Sequence, residues 1–300
     1  MERYRLSALK TLEAESIYII REVAAEFQNP ALLYSVGKDC SVLASLARKA
    51  FYPGKIPFPF LHIDTTRKFP DMHDFRDRIC KEMGVGLIVH EDDNALSQET
   101  SLDDLSGVRC HSALKTEALL TAIHEHGFDA AIGGARREEE ESRSKKCVYS
   151  FRDQFGQMES EGQRHEIWNL YNSRINQGES IQVSPISNWA ELDIWHYIHM
   201  ESIPVAPFYF ARERLVKPDD TNLIPIYDQT QVGIDGAITA LCRFPTLERR
   251  YCAVAVRSEA VSARQIIEEI VTRRRSETGA RTAGRHRDPS IENNKKEDRI

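Results

Sequence analysis

The chain has 300 residues, 41% apolar and 29% charged. This is a globular composition, with core enough for one large α/β domain or two small ones and too apolar for wholesale disorder. Apolar runs are short (Ile17-Tyr-Ile-Ile20), far below the ~18 residues that cross a bilayer, and Met1-Glu-Arg-Tyr-Arg-Leu holds no apolar signal core, so a cytoplasmic chain with no membrane partner is expected. Forty Lys+Arg against 46 Asp+Glu give −6; residues 271–300 carry nine basic and five acidic side chains, leaving the rest strongly acidic, which argues against nucleic acid as a partner.

Apolar residues Leu6, Leu9, Ile17, Ile20, Val23, Ala24 and Phe27 recur at mostly helical spacing and predict a helix over 5–27, stopped by Asn29-Pro30. Ala31–Ser35 reads as a buried strand and Ser41–Phe51 as a helix closed by Pro53-Gly54. Phe58–Ile63 is a second strand, 68–83 a helix, Val85–Val89 a third strand, 112–126 a helix and Phe128–Ile132 a fourth strand. Residues 136–166 are polar without clear period and read as a mobile arm or lid. Ile181–Ile186 reads as a strand, Leu192–Met200 as a helix, 211–255 gives weak mixed signals, 261–275 looks helical and 276–300 irregular. Alternating strands and helices with short links predict a parallel, Rossmann-like sheet with helices on both faces. Ligands in such sheets bind at the carboxyl ends of the strands. That rule singles out Ser35–Ser41, Asp64–Lys68 and Gly133–Arg137.

Six cysteines (Cys40, Cys80, Cys110, Cys147, Cys242 and Cys252) form no CxxC pair. Neither a zinc finger nor a clustered iron–sulfur site is expected, no metal ligands are assigned, and scattered thiols suit a reducing compartment.

Ser35-Val-Gly-Lys-Asp-Cys-Ser41 leaves a strand and opens a helix. Such a loop directs several N–H groups and the positive end of the helix dipole at one point, where phosphate is the usual guest. Gly37 allows close backbone approach or a positive φ, Lys38 brings an ammonium, and Ser35 and Ser41 bring hydroxyls. It is neither GxxxxGK[ST] nor GxGxxG, and by itself it reads either as a phosphate site or as a plain βα turn. Asp64 and Thr65 suit either a ligand or a helix cap. Gly133-Gly134 before Arg136-Arg137 suits an anion fork or a turn whose arginines pair with Glu138–Glu141. Lys115 is either near a nucleotide or on a plain helix surface. His62 reads as a buried neutral histidine, and Trp189 and Trp195 as core.

The loop resembles the PP-loop of the adenine nucleotide α-hydrolase superfamily. Tyr34-Ser-Val-Gly-Lys-Asp-Cys-Ser-Val-Leu, His62-Ile-Asp-Thr, Phe75-Arg-Asp, Lys115-Thr-Glu, Gly127-Phe-Asp-Ala-Ala-Ile-Gly-Gly-Ala-Arg-Arg-Glu-Glu-Glu, Tyr149-Ser-Phe-Arg-Asp and Ser187-Asn-Trp-Ala-Glu-Leu-Asp-Ile-Trp together resemble the small catalytic subunits of heterodimeric ATP sulfurylases, over about residues 5–215. The resemblance implies adenylyl transfer from ATP, with Mg²⁺, to sulfate or a related oxyanion. It implies that Ser35, Gly37, Lys38, Asp39 and Ser41 cradle the departing pyrophosphate, with Asp64, Thr65, Gly133, Gly134 and Lys115 at the nucleotide. Lys38, Arg136 and Arg137 then stabilise charge in the reaction, and a separate GTPase large subunit is the partner. It also implies a nucleotide-binding domain over 1–215 and a divergent C-terminal segment over 216–300.

Three places depart from the family pattern: Thr66-Arg67 after Asp64-Thr65, the block Arg243–Ser258 with Glu248, Arg249, Val254 and Arg257 at positions the family fills differently, and the tail. They leave room for a paralogue that adenylates another acceptor or for a non-catalytic nucleotide-binding subunit. A phosphosulfate reductase needs a cysteine near the C-terminus; here Cys252 is the last.

Overall fold

The structure, a computed structural model, describes residues 2–64, 70–91, 107–139, 147–153, 173–176, 178–219, 222–226, 236–247 and 255–273. Helix α1 (Glu2–Glu26) leads into β1 (Pro30–Leu33), α2 (Lys38–Phe51), β2 (Phe60–Asp64), α3 (Pro70–Met83), β3 (Leu87–Glu91), α4 (Gly107–His126) and β4 (Ala130–Ile132). Then come β5 (Tyr149–Arg152), β6 (Ser180–Val183), α5 (Glu191–Glu201) and a 3₁₀ turn (Pro207–Tyr209). The last elements are β7 (Arg212–Asp219), β8 (Asn222–Pro225), β9 (Ile238–Arg243), β10 (Val256–Arg257) and α6 over 263–273.

The main sheet runs β3-β2-β1-β4-β6-β5, parallel except for the antiparallel edge β5. Period-two alternation sends β1 to both faces. Leu32 joins the large core built by α1, α2, α3 and α5, whereas Ala31 packs with Leu61 and Ala131 under Ala122 and Ile123 of α4. Helices therefore cover both faces, as the alternating pattern predicts. Trp189 and Trp195 are core residues, each 1% exposed, and Trp189 Nε1 donates to Ser16 Oγ of α1 at 3.0 Å.

Two segments differ from the expectation. Within the stretch read as an arm, Tyr149–Arg152 is a sheet strand whose Tyr149 and Phe151 are buried; a short apolar stretch between charged neighbours is easily masked in sequence, and pairing to β6 supplies its order. Residues 140–146 and 154–166 of that arm lie outside the described residues. The C-terminal segment, expected to be irregular or helical, holds a four-stranded sheet, β10-β9-β7-β8, with antiparallel pairs, and the anticipated boundary after residue 215 falls inside β7. Tail residues 274–300 lie outside the described residues. Among the described residues no helix is long and apolar enough to cross a membrane.

Candidate active site

Sheet order decides where the site forms. Strands β1 and β4 are parallel neighbours, and the sheet extends from β1 to β2 and β3 on one side and from β4 to β6 and β5 on the other. At such a switch point the strand ends open a crevice. The loop after β1 and the loop after β4 meet there. A Cβ placed on Gly134 would lie 3.3 Å from the Cys40 backbone nitrogen and 3.4 Å from Asp39 Cβ. Gly134 is thus spent on letting the β4 loop close against the first turn of α2, rather than on a direct ligand approach.

In the β1 loop the positive φ falls on Val36 (69°) and not on Gly37. Val36 is β-branched and fully buried, a conformation that costs about 1–3 kcal/mol and persists only when its surroundings hold it. Gly37 is extended, with φ −70°, and caps α2 without a side-chain hydrogen bond. An added Cβ there would meet Ser35 Oγ and Tyr209 Oη only at ordinary distances of 3.6 and 3.7 Å. Among the described residues neither strain nor crowding demands glycine there.

Lys38 is 3% exposed. Its Nζ lies 3.3 Å from Asp39 Oδ2 and 4.0 Å from Glu191 Oε1 at the start of α5. The other Asp39 oxygen, Oδ1, accepts from Arg136 Nε at 2.6 Å. Arg136, 4% exposed, also reaches Glu138 Oε2 at 3.3 Å and Glu139 Oε1 at 3.4 Å. Burial works against its guanidinium charge, but Asp39, Glu139 and Glu191 more than offset that and raise its pKa further. The cations that sequence singled out are therefore held in place by carboxylates, and the pairing of Arg136 with Glu138 and Glu139 is the turn-like arrangement that the residues alone allowed.

Ser41 is buried and its hydroxyl donates to the Gly37 carbonyl at 3.0 Å, so it braces the loop. Cys40 Sγ donates to the same carbonyl. Ser35 is exposed at the strand end, beside Cys40 Sγ at 3.6 Å. Arg137 turns away from Arg136: its Nη1 donates to Asn188 Oδ1 at 2.6 Å and its backbone N–H to the Ser187 carbonyl. Gly133 donates its N–H to the Val183 carbonyl of β6. Asp64 ends β2, two strands from β4, with Oδ2 3.4 Å from His73 Nδ1. Thr65, Thr66 and Arg67 lie outside the described residues. Lys115 is placed only by its backbone in α4, its side chain lying outside the described residues. Ser35, Gly37, Lys38, Asp39, Gly134 and Arg136 come together, whereas Arg137 is held to Asn188 and Ser187 and Asp64 lies beside His73.

Sequence reading missed Tyr209. The 3₁₀ turn after α5 carries this fully enclosed side chain under Trp195, ring centroids 5.6 Å apart. Its hydroxyl accepts the Lys38 backbone N–H at 2.8 Å, and burial raises its pKa well above the usual tyrosine value. Neutral, it occupies the mouth of α2. The prolines before it signal a turn, but nothing local connects Tyr209 to a loop 171 residues earlier.

The model of the phosphoadenosine phosphosulfate reductase domain family matches residues 29–244. A sulfate adenylyltransferase subunit 2 of Saccharophagus degradans is 48% identical over 299 residues, covering 99% of this chain and 99% of that protein. Another, of Bacteroides fragilis, is 48% identical, covering 99% and 98%. The likeness therefore runs past residue 215 and through the C-terminal segment. Among solved structures, a phosphoadenylyl-sulfate reductase from Candida auris in a phosphate complex shares 16% identity, with a TM-score of 0.43, over 66% of this chain and 87% of that one.

Proposed function

The chain belongs to the sulfate adenylyltransferase subunit 2 family, and from that premise we propose that it transfers the adenylyl group of ATP to sulfate. A sulfate oxygen forms a bond to the α-phosphorus as the bond from that phosphorus to the bridging oxygen breaks. The electron pair leaves on pyrophosphate, and adenosine 5′-phosphosulfate remains. The observation that carries the reading is the meeting of the β1 and β4 loops at the mouth of α2, with Lys38 and Arg136 on either side of Asp39.

In-line transfer at phosphorus asks for positioning and charge stabilisation more than for covalent help. Negative charge grows on the departing pyrophosphate. The amides of Asp39 and Cys40 in the first turn of α2 and the Lys38 ammonium, the Lys38 N–H being held by Tyr209, meet that charge more strongly in the transition state than in the ground state. Arg136 is held by Asp39 from behind. Its bonds to Glu138 and Glu139 are longer and lie nearer solvent, so an oxyanion replaces those carboxylates at little cost. Arg137 and Ser35 then border the acceptor and phosphate edges, and Asp64 the edge at β2.

Mg²⁺ fits this scheme as part of MgATP. Both oxygens of Asp39 face cations, so phosphate oxygens and water, rather than this loop, supply its ligands.

The second-subunit naming of the relatives supports a partner subunit, and we take that partner to be a GTPase. Phosphosulfate formation from ATP is uphill, and this chain has no GxxxxGK[ST] of its own. The composition suits a cytoplasmic setting for the pair. The test is pyrophosphate release from MgATP by the full chain, with and without the GTPase subunit, with and without sulfate. Release that needs sulfate is expected; release without sulfate, or only with another acceptor, overturns the reading.

A further inference from the structure

Outside the anion loops, one cluster has the opposite chemistry. His62 and Asp64 stand two residues apart on β2, so both side chains leave the same face of the strand. His73, in the first turns of α3, faces them. One ligand-capable atom from each lies within 4.8 Å of the others. The pair already in contact, His73 Nδ1 and Asp64 Oδ2, is 3.4 Å apart. That is the edge of a tetrahedron with bonds of about 2.0–2.1 Å, the length that zinc makes to imidazole nitrogen and carboxylate oxygen.

His62 is prepared as a ligand. It is 1% exposed, and its Nδ1 lies 2.7 Å from the Tyr34 carbonyl. A carbonyl only accepts, so the proton sits on Nδ1 and the lone pair of the neutral ring on Nε2. Metal-bound histidines are oriented by the same kind of second contact. On the α3 side, Arg76 turns its Nε to Asp77 at 2.7 Å, which offsets its charge. As metal ligands, two imidazoles and a carboxylate together carry one negative charge, which attracts a cation.

We infer that His62, Asp64 and His73 form a site for a divalent transition metal of the zinc class, separate from the magnesium that travels with ATP. The two imidazoles select against Mg²⁺ and Ca²⁺, which prefer all-oxygen surroundings. Three protein ligands leave at least one coordination position open. The inference is independent of the proposed reaction, because its readout needs neither ATP nor sulfate.

The test titrates Co²⁺ into the full, chelator-treated chain and follows visible absorption. We expect one equivalent bound with d–d bands and without thiolate-to-cobalt charge transfer. Zn²⁺ should displace it, and Mg²⁺ in large excess should not. His73→Ala and Asp64→Asn should each weaken binding by at least on the order of tenfold, with folding followed by circular dichroism. His90→Ala, which alters the His90–Glu125 contact beside Ile63 on the opposite face of the sheet, should leave binding unchanged. Absence of binding, displacement by Mg²⁺, a thiolate band, wild-type affinity in His73→Ala, or a loss in His90→Ala equal to that in His73→Ala would each overturn the assignment.

Discussion

Arg136 and Arg243 are both almost wholly buried arginines facing carboxylates, and they do different things. Arg243, on β9, gives both Nε and Nη2 to one oxygen of Glu269 in α6, at 3.1 and 3.0 Å. Ser258 donates to the other Glu269 oxygen, and Ala260 N–H to Ser258 Oγ. Among the described residues one cation meets one anion with neutral groups around the pair, and the result is a clasp between sheet and helix. Arg136 instead meets three carboxylates, one at 2.6 Å and two more exposed ones at 3.3 and 3.4 Å, at a place where two strand ends open. Burial and pairing alone do not mark a functional arginine. What sets Arg136 apart from that clasp is its surplus of carboxylate partners at a strand-end crevice.

Double substitutions separate the two most sharply. Arg243→Met should cost about 3–5 kcal/mol, because Glu269 loses its counter-ion. Adding Glu269→Leu should restore most of it, since an apolar pair of similar volume often replaces a buried ion pair without loss. Arg136→Met with Asp39→Leu should likewise recover stability by denaturant midpoint, yet show no sulfate-dependent pyrophosphate release. Retained release in that double variant would erase the distinction.

Lys38→Ala should lower release by roughly 10²–10³-fold, the usual loss when one donor to developing charge is removed, while the melting curve stays close to that of the parent. Tyr209→Phe should cost about 1–3 kcal/mol, because it leaves the buried Lys38 N–H without its acceptor; faster hydrogen exchange at that amide is the accompanying sign. The smallest effect is expected at Lys49, which bridges Glu13 and Glu201 at 2.9 and 2.8 Å but is about a third exposed. Lys49→Gln should change stability by no more than about 1 kcal/mol. A larger loss there would mean that pairing rather than burial sets these costs.

Much of the fold was legible because its signals are local. The strand–loop–helix from Ala31 to Phe51 reads directly from apolar period and a glycine-bearing loop, and the parallel sheet follows from repetition of that unit. The errors share one cause. β5 and the strands of the second sheet take their order from partners distant in sequence, such as Ser150 beside Gln182 and Arg214 beside Ala240. Sequence reading left Gly37 with either a close backbone approach or a positive φ, and the positive φ falls on Val36, where the packing encloses it. The site was legible in Lys38, Asp39 and Arg136 through motif resemblance, while the place of Tyr209 was not.

By itself the sequence determined the strands and helices from α1 to β4 and which of their loops end strands, since those depend on side-chain period and turn chemistry over a few residues. The tertiary structure alone decided that Asp39 meets Arg136 across 97 positions and that Tyr209 covers the head of α2. It also set Gly134 against Cys40 and gathered His62, Asp64 and His73 at one strand end. The reason is that strand order and helix packing are chosen by burial summed over the whole chain, and no single segment carries that sum.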